Sequence, residues 1–235
     1  MSAVEIEIVD DPGKACAAML VGALTGSGQV VLAGGPTPRA AYQEFVRGVR
    51  EAGTDLTGVS LWFGDERCVP PDDARSNYRM VKQTLLDPLG EDLPSLGVHR
   101  IQGEGGADAA AAVYEHELRS AGPPQFDLIR LGIGPDGHTA SMFPDQASVS
   151  ERSRLVVGVP HAGLEPFVPR VTMTLAAIAL GRRVVVLASG ETKAAALAAA
   201  CGPDATPDPH VPSSMLASAA NEITVLLDPA AAGKL

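Results

Sequence analysis

The chain has 235 residues, of which 46% are hydrophobic and 20% charged, a composition typical of a globular protein and not of a disordered one. Its formal net charge of −10 and pI near 4.9 argue against nucleic-acid and anionic-membrane partners, because both need a basic face. Single α/β domains often reach this length, so we expect one domain over residues 1–235.

Short β-branched or aliphatic runs alternate with Ala-rich amphipathic segments, a pattern typical of a mainly parallel sheet with helices on both faces. The predicted strands lie at residues 5–9, 30–33, 59–63, 126–131, 155–159, 170–175, 184–188 and 223–227. The predicted helices lie at residues 11–24, 38–52, 76–86, 108–120 and 192–200. Residues 87–106, rich in Gly, Pro and charge, are interpreted as a surface excursion and not as a domain boundary.

The cysteine pattern and the apolar runs indicate in which cell compartment the protein is expected. Cys16, Cys68 and Cys201 are far apart and outside any CxxC spacing, so neither a disulfide framework nor a zinc knuckle is predicted. The N-terminal residues lack a basic flank followed by an apolar run, and no stretch approaches the ~18 apolar residues of a membrane span. We therefore expect a cytoplasmic protein with no membrane partner.

Ligands of open α/β sheets bind at the carboxyl ends of strands, and the first such loop here reads GGPTP. Gly34 and Gly35 let the backbone approach a ligand, and Thr37 offers a hydroxyl and can cap the next helix. The helix N-terminus attracts an anion, so this glycine loop (residues 34–37) suits a phosphate. An ordinary tight turn explains Gly-Gly equally well, and the absence of GK[ST] excludes a Walker loop.

Charged residues follow the next strand. Asp65, Glu66 and Arg67 crowd together where that strand ends, and Asn77 opens the following helix. Adjacent opposite charges are commonly a solvated loop. Their position at the carboxyl end of a strand favours a role in ligand binding instead.

The third loop is LGIGPDGHTASMFP, called here the histidine loop (residues 131–144). Its glycines satisfy GxGxxG, the pattern of a dinucleotide-binding site. We reject such a site because Pro144 ends the following helix within a few residues, and because no acidic residue lies about 20 residues further on to bind a ribose. Asp136 lies beside His138, and a carboxylate can fix the tautomer of an imidazole and stabilise its charged form. We interpret His138 as a general base that Asp136 orients; a histidine that merely bonds its own loop is the alternative.

Two further cations lie at the ends of predicted elements. Arg170 enters a predicted strand, and Lys193 lies in the first turn of a predicted helix, where it opposes the helix dipole. A bound anion would explain the position of Lys193, although solvent exposure is the usual fate of either cation alone. Since HExxH, GxSxG and metal-spaced histidine pairs are absent, no metal is predicted. Ser141 lacks a nucleophile's setting, and His99 and His116 are expected at the surface.

The chain resembles the 6-phosphogluconolactonase family, a branch of the superfamily that includes glucosamine-6-phosphate deaminase. The resemblance covers essentially the whole chain through LAGGPTP, FGDERCVPPDDARSNY, LGIGPDGHTASMFP, PRVTMTL, SGETKAAAL and PSSML. It implies a three-layer Rossmann-like fold and cofactor-free hydrolysis of 6-phospho-D-glucono-1,5-lactone in the oxidative pentose phosphate pathway. We expect a monomer or weak homo-oligomer with no nucleic-acid partner.

The resemblance also assigns residues. It makes the glycine loop, Arg67, Arg170 and Lys193 candidates for the substrate's phosphate, with His138 as base. Asp65 is a candidate for the sugar hydroxyls. The family usually has a serine where this chain has Pro36, so Thr37 and backbone amides must supply the loop's phosphate contacts.

Two other functions stay open. The deaminase branch places a glutamate shortly after the histidine, where this chain has Phe143, and an apolar ring cannot shuttle protons. The other alternative is a non-enzymatic phosphosugar sensor, which is found when this fold is joined to a DNA-binding module. The first predicted strand already begins at Glu5, and the acidic chain offers no basic recognition helix.

Overall fold

The computed structural model describes residues 4–24, 28–90, 96–120 and 125–235. Its strands are β1 (Val4–Ile8), β2 (Gln29–Leu32), β3 (Ser60–Phe63), β4 (Asp65–Arg67), β5 (Gly97–His99), β6 (Phe126–Leu131), β7 (Val156–Val159), β8 (Arg170–Met173), β9 (Gly181–Ala188) and β10 (Glu222–Leu227). Its helices are α1 (Pro12–Gly22), α2 (Pro38–Ala52), α3 (Asn77–Val81), α4 (Asp87–Leu89), α5 (Ala107–Ser120), α6 (Ala147–Ser150), α7 (Leu175–Ile178), α8 (Ala194–Cys201) and α9 (Leu216–Ala219). None of the helices in these ranges is long and apolar enough to cross a membrane.

A seven-stranded sheet with the order β1-β10-β9-β6-β2-β3-β5 forms the centre of the molecule, and its pairings are all parallel. Strands β6, β9 and β10 are almost wholly buried at their carboxyl halves. Burial on both faces explains why these strands appear in the sequence as continuous apolar runs. The predicted fold class is confirmed.

Helices cover both faces of this sheet, which gives the three layers. On one face, Arg130 of β6 lies near Cys16 of α1 and Tyr42 of α2. The strand register puts Trp62 of β3 on the opposite face, where its ring meets that of Tyr114 from α5 at a centroid distance of 5.9 Å. The core therefore fills the space between the sheet and each helical layer.

A second, three-stranded antiparallel sheet has the order β4-β8-β7. The sequence predicted strands at residues 155–159 and 170–175, and both exist, but it did not predict β4, whose three charged residues carry no strand pattern. The pairing of β4 with β8 sets Arg67 directly opposite Arg170. This small sheet therefore brings two cations together from distant parts of the chain.

The interpretation of residues 87–106 as a surface excursion is wrong for part of the segment; residues 91–95 lie outside the described ranges. Strand β5 pairs with β3 and forms an edge of the large sheet. The expectation that His99 is a surface residue is also wrong, because its ring stacks on Trp62 at 3.8 Å and its Nδ1 lies 2.6 Å from Glu117 Oε1. His116 is exposed, as predicted.

The predicted helix over residues 76–86 is present in two parts. Ser76 caps α3 by accepting a hydrogen bond from the backbone N–H of Arg79 at 3.1 Å. A π-helical turn, Lys82–Leu86, then continues the helix. The cap fixes where α3 begins, and this places the buried Asn77 in the wall of the site described next.

Candidate active site

A cavity of about 260 Å³ lies where β2, β6 and β9 end. Eight of the nine residues that the sequence predicted for the site line it: Gly34, Gly35, Thr37, Asp65, Arg67, His138, Arg170 and Lys193. The ninth, Asp136, lies directly behind His138. Parallel strands deliver their loops to one edge of a sheet, which is why these distant segments meet.

His138 and Asp136 form a hydrogen-bonded pair, with His138 Nδ1 2.6 Å from Asp136 Oδ1. Burial raises the pKa of Asp136, but the hydrogen bond and charge of His138 outweigh it and leave that pKa below its ordinary value. Because an ionised carboxylate can only accept, Nδ1 carries the imidazole proton and Nε2 keeps its lone pair. The pair therefore presents Nε2 as the basic nitrogen.

The glycines of the histidine loop serve this pair. A Cβ added to Gly134 would lie 2.0 Å from His138 Nδ1 and 2.4 Å from Asp136 Oδ1. Gly137 has a φ of +84°, a left-handed conformation that favours glycine. Gly134 therefore leaves room for the imidazole and the carboxylate, and Gly137 makes the turn immediately before His138.

Arg67 and Arg170 form a cationic pair across β4 and β8. Burial, followed by the charge of Arg67, lowers the pKa of Arg170 to about 10. The buried Nε of Arg67 has no hydrogen-bond partner among the described residues. Like charges directly opposite each other destabilise a strand pair, so an anion between them would relieve this repulsion.

Arg170 also donates hydrogen bonds to the segment that precedes β8. Its Nε donates to the carbonyl oxygen of Val168 at 3.2 Å, and its Nη2 donates to those of Pro166 at 2.8 Å and Leu164 at 3.4 Å. Arg170 is therefore both a wall of the cavity and the anchor of the segment that precedes β8.

Lys193 approaches the cavity from the end of a 3₁₀ turn, Glu191–Lys193, immediately before α8. Burial lowers the pKa of Lys193, and the nearby charge of Asp136 partly offsets this. The ammonium group therefore lies on the histidine side of the cavity. Lys193 and the glycine loop line the same cavity, although they are far apart in the sequence.

A buried hydrogen-bond network holds the Asp65 carboxylate. Asn77 Nδ2 donates to Oδ1 at 3.0 Å, and Ser141 Oγ donates to Oδ2 at 2.7 Å. Ser141 therefore serves Asp65 and does not have the setting of a nucleophile, as expected. Asn77 also explains Gly34, because a Cβ there would lie 1.8 Å from Asn77 Oδ1.

The expectation that the Thr37 side chain caps α2 is wrong. Thr37 occupies the N-cap position, but its helical φ of −57° and ψ of −41° differ from the extended conformation of a capping residue, and its side chain makes no cap hydrogen bond. Its hydroxyl is consequently not used by the helix. Gly35, with a φ of +94°, makes the turn that places Thr37 in the cavity wall.

Sequence reasoning missed Arg130, which lines the cavity although it is only 1% exposed. The signal that could have found it is a single charge within the otherwise apolar half of FDLIRL. As regards metals, the described ranges contain no group of three or more His, Cys, Asp or Glu side chains able to hold an ion.

Comparisons with known proteins agree with this arrangement. The model of the family described as glucosamine-6-phosphate isomerases/6-phosphogluconolactonase matches residues 6–225. The 6-phosphogluconolactonase of Mycobacterium leprae is 38% identical over 217 residues, which are 88% of this chain and 84% of that protein. The structure of 6-phosphogluconolactonase from Trypanosoma cruzi is 29% identical, covers 100% of this chain and 98% of its own, and has a TM-score of 0.85.

The fold and the cavity define a Rossmann-like α/β protein whose ligand site lies at the carboxyl edge of a parallel sheet. The chain belongs to the family of glucosamine-6-phosphate isomerases and 6-phosphogluconolactonases, which confirms the resemblance seen in the sequence. A monomeric glucosamine-6-phosphate deaminase also superposes, with a TM-score of 0.81 and 21% identity, and this shows the shared fold alone.

Proposed function

We propose that this chain hydrolyses 6-phospho-D-glucono-1,5-lactone to 6-phospho-D-gluconate in the oxidative pentose phosphate pathway. The single observation that carries the proposal is that His138, hydrogen-bonded to Asp136 behind it, lines one cavity with a cluster of cations. We further propose that the enzyme is one domain, works in the cytoplasm as a monomer or weak homo-oligomer, and needs neither metal nor cofactor. The relatives named 6-phosphogluconolactonase support the choice of substrate.

In the proposed reaction, His138 Nε2 takes a proton from a water molecule as the water oxygen attacks the lactone carbonyl carbon. Asp136 stabilises the imidazolium that forms. The bond between that carbon and the ring oxygen then breaks, and the imidazolium returns its proton to the departing oxygen. A base of this kind typically contributes about 10²–10⁴-fold to the rate.

The phosphate group orients the lactone in this scheme. A phosphate monoester carries about −1.5 to −2 charges at neutral pH. The cations Arg67, Arg170 and Lys193, with the glycine loop, supply the positive charge and the donors that hold it, and Asp65 faces the sugar hydroxyls. Fixing the phosphate places the carbonyl carbon beside the water that His138 activates.

Phe143 favours hydrolysis over the isomerase alternative. Its side chain is 2% exposed, and its ring centroid lies 4.8 Å from that of His138. An apolar ring in this position repels water from one side of the imidazole and offers no group for proton transfer between sugar carbons.

The assay that tests the proposal compares purified protein with the spontaneous hydrolysis of 6-phosphogluconolactone. We expect hydrolysis well above the blank, with an unchanged rate in EDTA. Glucosamine 6-phosphate is the second substrate, and release of ammonia at a comparable rate would overturn the lactonase assignment. Binding of phosphosugars without turnover of either substrate would indicate a sensor.

Asp136→Asn is expected to lower kcat by about 10²–10⁴-fold with little change in KM. The asparagine amide can donate to Nδ1, which moves the imidazole proton to Nε2 and removes the basic lone pair. The matched control is Asp145→Asn, since Asp145 forms an exposed pair with His210. Steady-state kinetics on both variants check this; equal kcat values in the two would remove Asp136 from the mechanism.

Gly134→Ala is expected to reduce kcat by about 10²-fold, because a displacement of catalytic groups by 1 Å can have this effect. The added methyl group would overlap both members of the histidine pair. Gly22→Ala is the control, since a Cβ at that position meets no atom within 4 Å. Circular dichroism shows whether each variant is folded, and a fully active, folded Gly134→Ala protein contradicts the geometry.

A further inference from the structure

Arg130 is a buried cation with unsatisfied donors. It lies on β6 with 1% of its surface exposed, and neither Nε nor Nη2 has a hydrogen-bond partner among the described residues. A guanidinium is protonated at neutral pH and has five N–H donors to satisfy. An unpaired charge in such a place is strongly unfavourable, so its presence calls for an anion.

The neighbouring ionisable groups do not provide that anion. Burial raises the pKa of the Cys16 thiol, and the charge and hydrogen bond of Arg130 offset this only in part, so the thiol stays neutral. Burial likewise raises the pKa of Tyr42 to about 12. The Asp65 carboxylate, whose charge also acts on Tyr42, accepts hydrogen bonds from Asn77 and Ser141 and reaches neither Nε nor Nη2 of Arg130.

Tyr42 shows where the guanidinium lies relative to the glycine loop. Its hydroxyl donates to the carbonyl oxygen of Ala33 at 2.7 Å and accepts from the Ala33 N–H at 3.0 Å. Ala33 immediately precedes Gly34, and Arg130 interacts electrostatically with that hydroxyl. The Arg130 side chain therefore lies near the start of the glycine loop, in the wall of the same cavity.

The glycine loop itself is short of donors. Pro36 has neither a hydroxyl nor a backbone N–H, so one of its four residues cannot donate to an anion. The Arg130 guanidinium, in the wall of the same cavity, offers a planar pair of N–H groups that matches two phosphate oxygens.

We propose that Arg130 is a phosphate-binding residue of this site, with its guanidinium donating to the phosphate oxygens from the cavity wall near the glycine loop. The proposal rests on the proposed function for the identity of the sugar lactone, but the recognised chemistry is a phosphate monoester. The phosphate then provides the counter-charge that the protein does not.

The test compares Arg130→Met, which keeps an unbranched apolar stem but removes the guanidinium and its charge, with Arg182→Met, which changes an exposed arginine paired with Asp127. Thermal unfolding is measured without ligand, with inorganic phosphate and with 6-phosphogluconate. We expect both ligands to raise the Tm of the wild type and of Arg182→Met. Arg130→Met should keep or exceed the wild-type Tm without ligand, lose most of both shifts, and show a KM for the lactone at least tenfold higher.

A purely structural role for Arg130 gives the opposite pattern, with a lower Tm without ligand and unchanged ligand shifts, and this result overturns the proposal. The remaining alternative is that a Cys16 thiolate is the counter-charge of Arg130, and Cys16→Ala tests it. If the alternative holds, Cys16→Ala loses stability and Arg130→Met still binds phosphate. If Arg130→Met does not fold, Arg130→Lys decides: a clearly reduced phosphate shift supports the proposal, and a wild-type shift with wild-type KM contradicts it.

The two proposals can fail separately. A wild-type protein that does not hydrolyse the lactone, but whose phosphate-dependent Tm shift needs Arg130, contradicts the proposed function alone. A wild-type lactonase whose KM and phosphate shift are unchanged in Arg130→Met contradicts the Arg130 assignment alone.

Discussion

Replacing His138 with alanine is expected to lower kcat for lactone hydrolysis by about 10²–10⁴-fold while KM changes little. The imidazole is the basic group that lines the cavity with a carboxylate fixing its tautomer, and 19% of its side chain is exposed, so it is open to water. Its loss removes the group that accepts the proton from the attacking water. The phosphate contacts lie on other elements, so substrate binding is retained.

The lactone also hydrolyses without enzyme, so the measurement must subtract that rate at each substrate concentration. His210→Ala is a matched control, because His210 also pairs with an aspartate, at 2.5 Å from Asp145, but is 72% exposed and outside the cavity. We expect the control to keep wild-type kinetics. Normal turnover by His138→Ala would show that His138 is not the general base. Its hydrogen bond to Asp136 would then have only a structural role.

Lys193→Ala is expected to raise KM by about 10- to 100-fold with a much smaller change in kcat. A hydrogen bond to a charged group contributes about 1.5–3 kcal/mol, and each ~1.4 kcal/mol is a factor of ten in affinity. Lys193 gives a clearer result than Arg170, whose removal also releases the carbonyl groups of the segment before β8. An increase in KM alone is the signature of lost binding energy that substrate and transition state share.

The pH dependence of ligand binding provides a second measurement on Lys193. Because burial lowers the pKa of this ammonium, its charge is lost at a lower pH than that of a free lysine, about 10.4. The Tm shift produced by 6-phosphogluconate should therefore decline on the approach to that pH from below. Arg170, whose pKa is lowered to about 10, loses charge in the same range, so Lys193→Ala should show a smaller decline than the wild type. Lys14→Ala, at an exposed position, is the control. An unchanged KM in Lys193→Ala would exclude the phosphate contact.

Local patterns in the sequence were sufficient for most elements of the large sheet and for the histidine loop. Buried parallel strands are apolar throughout, so β6, β9 and β10 could be predicted without knowledge of their partners. Asp136 and His138 are two residues apart, and their pairing depends only on the loop that contains them. Features whose physical cause lies within one segment can be predicted from that segment.

The cationic wall of the cavity depended on tertiary structure. Arg67 faces Arg170 only because a three-residue strand pairs with β8, and β4 has no apolar pattern that predicts it. Strand β5 was missed for the same reason, because a short edge strand owes its existence to its neighbour. The burial of Arg130 likewise depends on two helices that pack over β6. In each case the decisive energy comes from contacts between distant segments, whereas the sequence by itself determined the sheet, the histidine pair and the family.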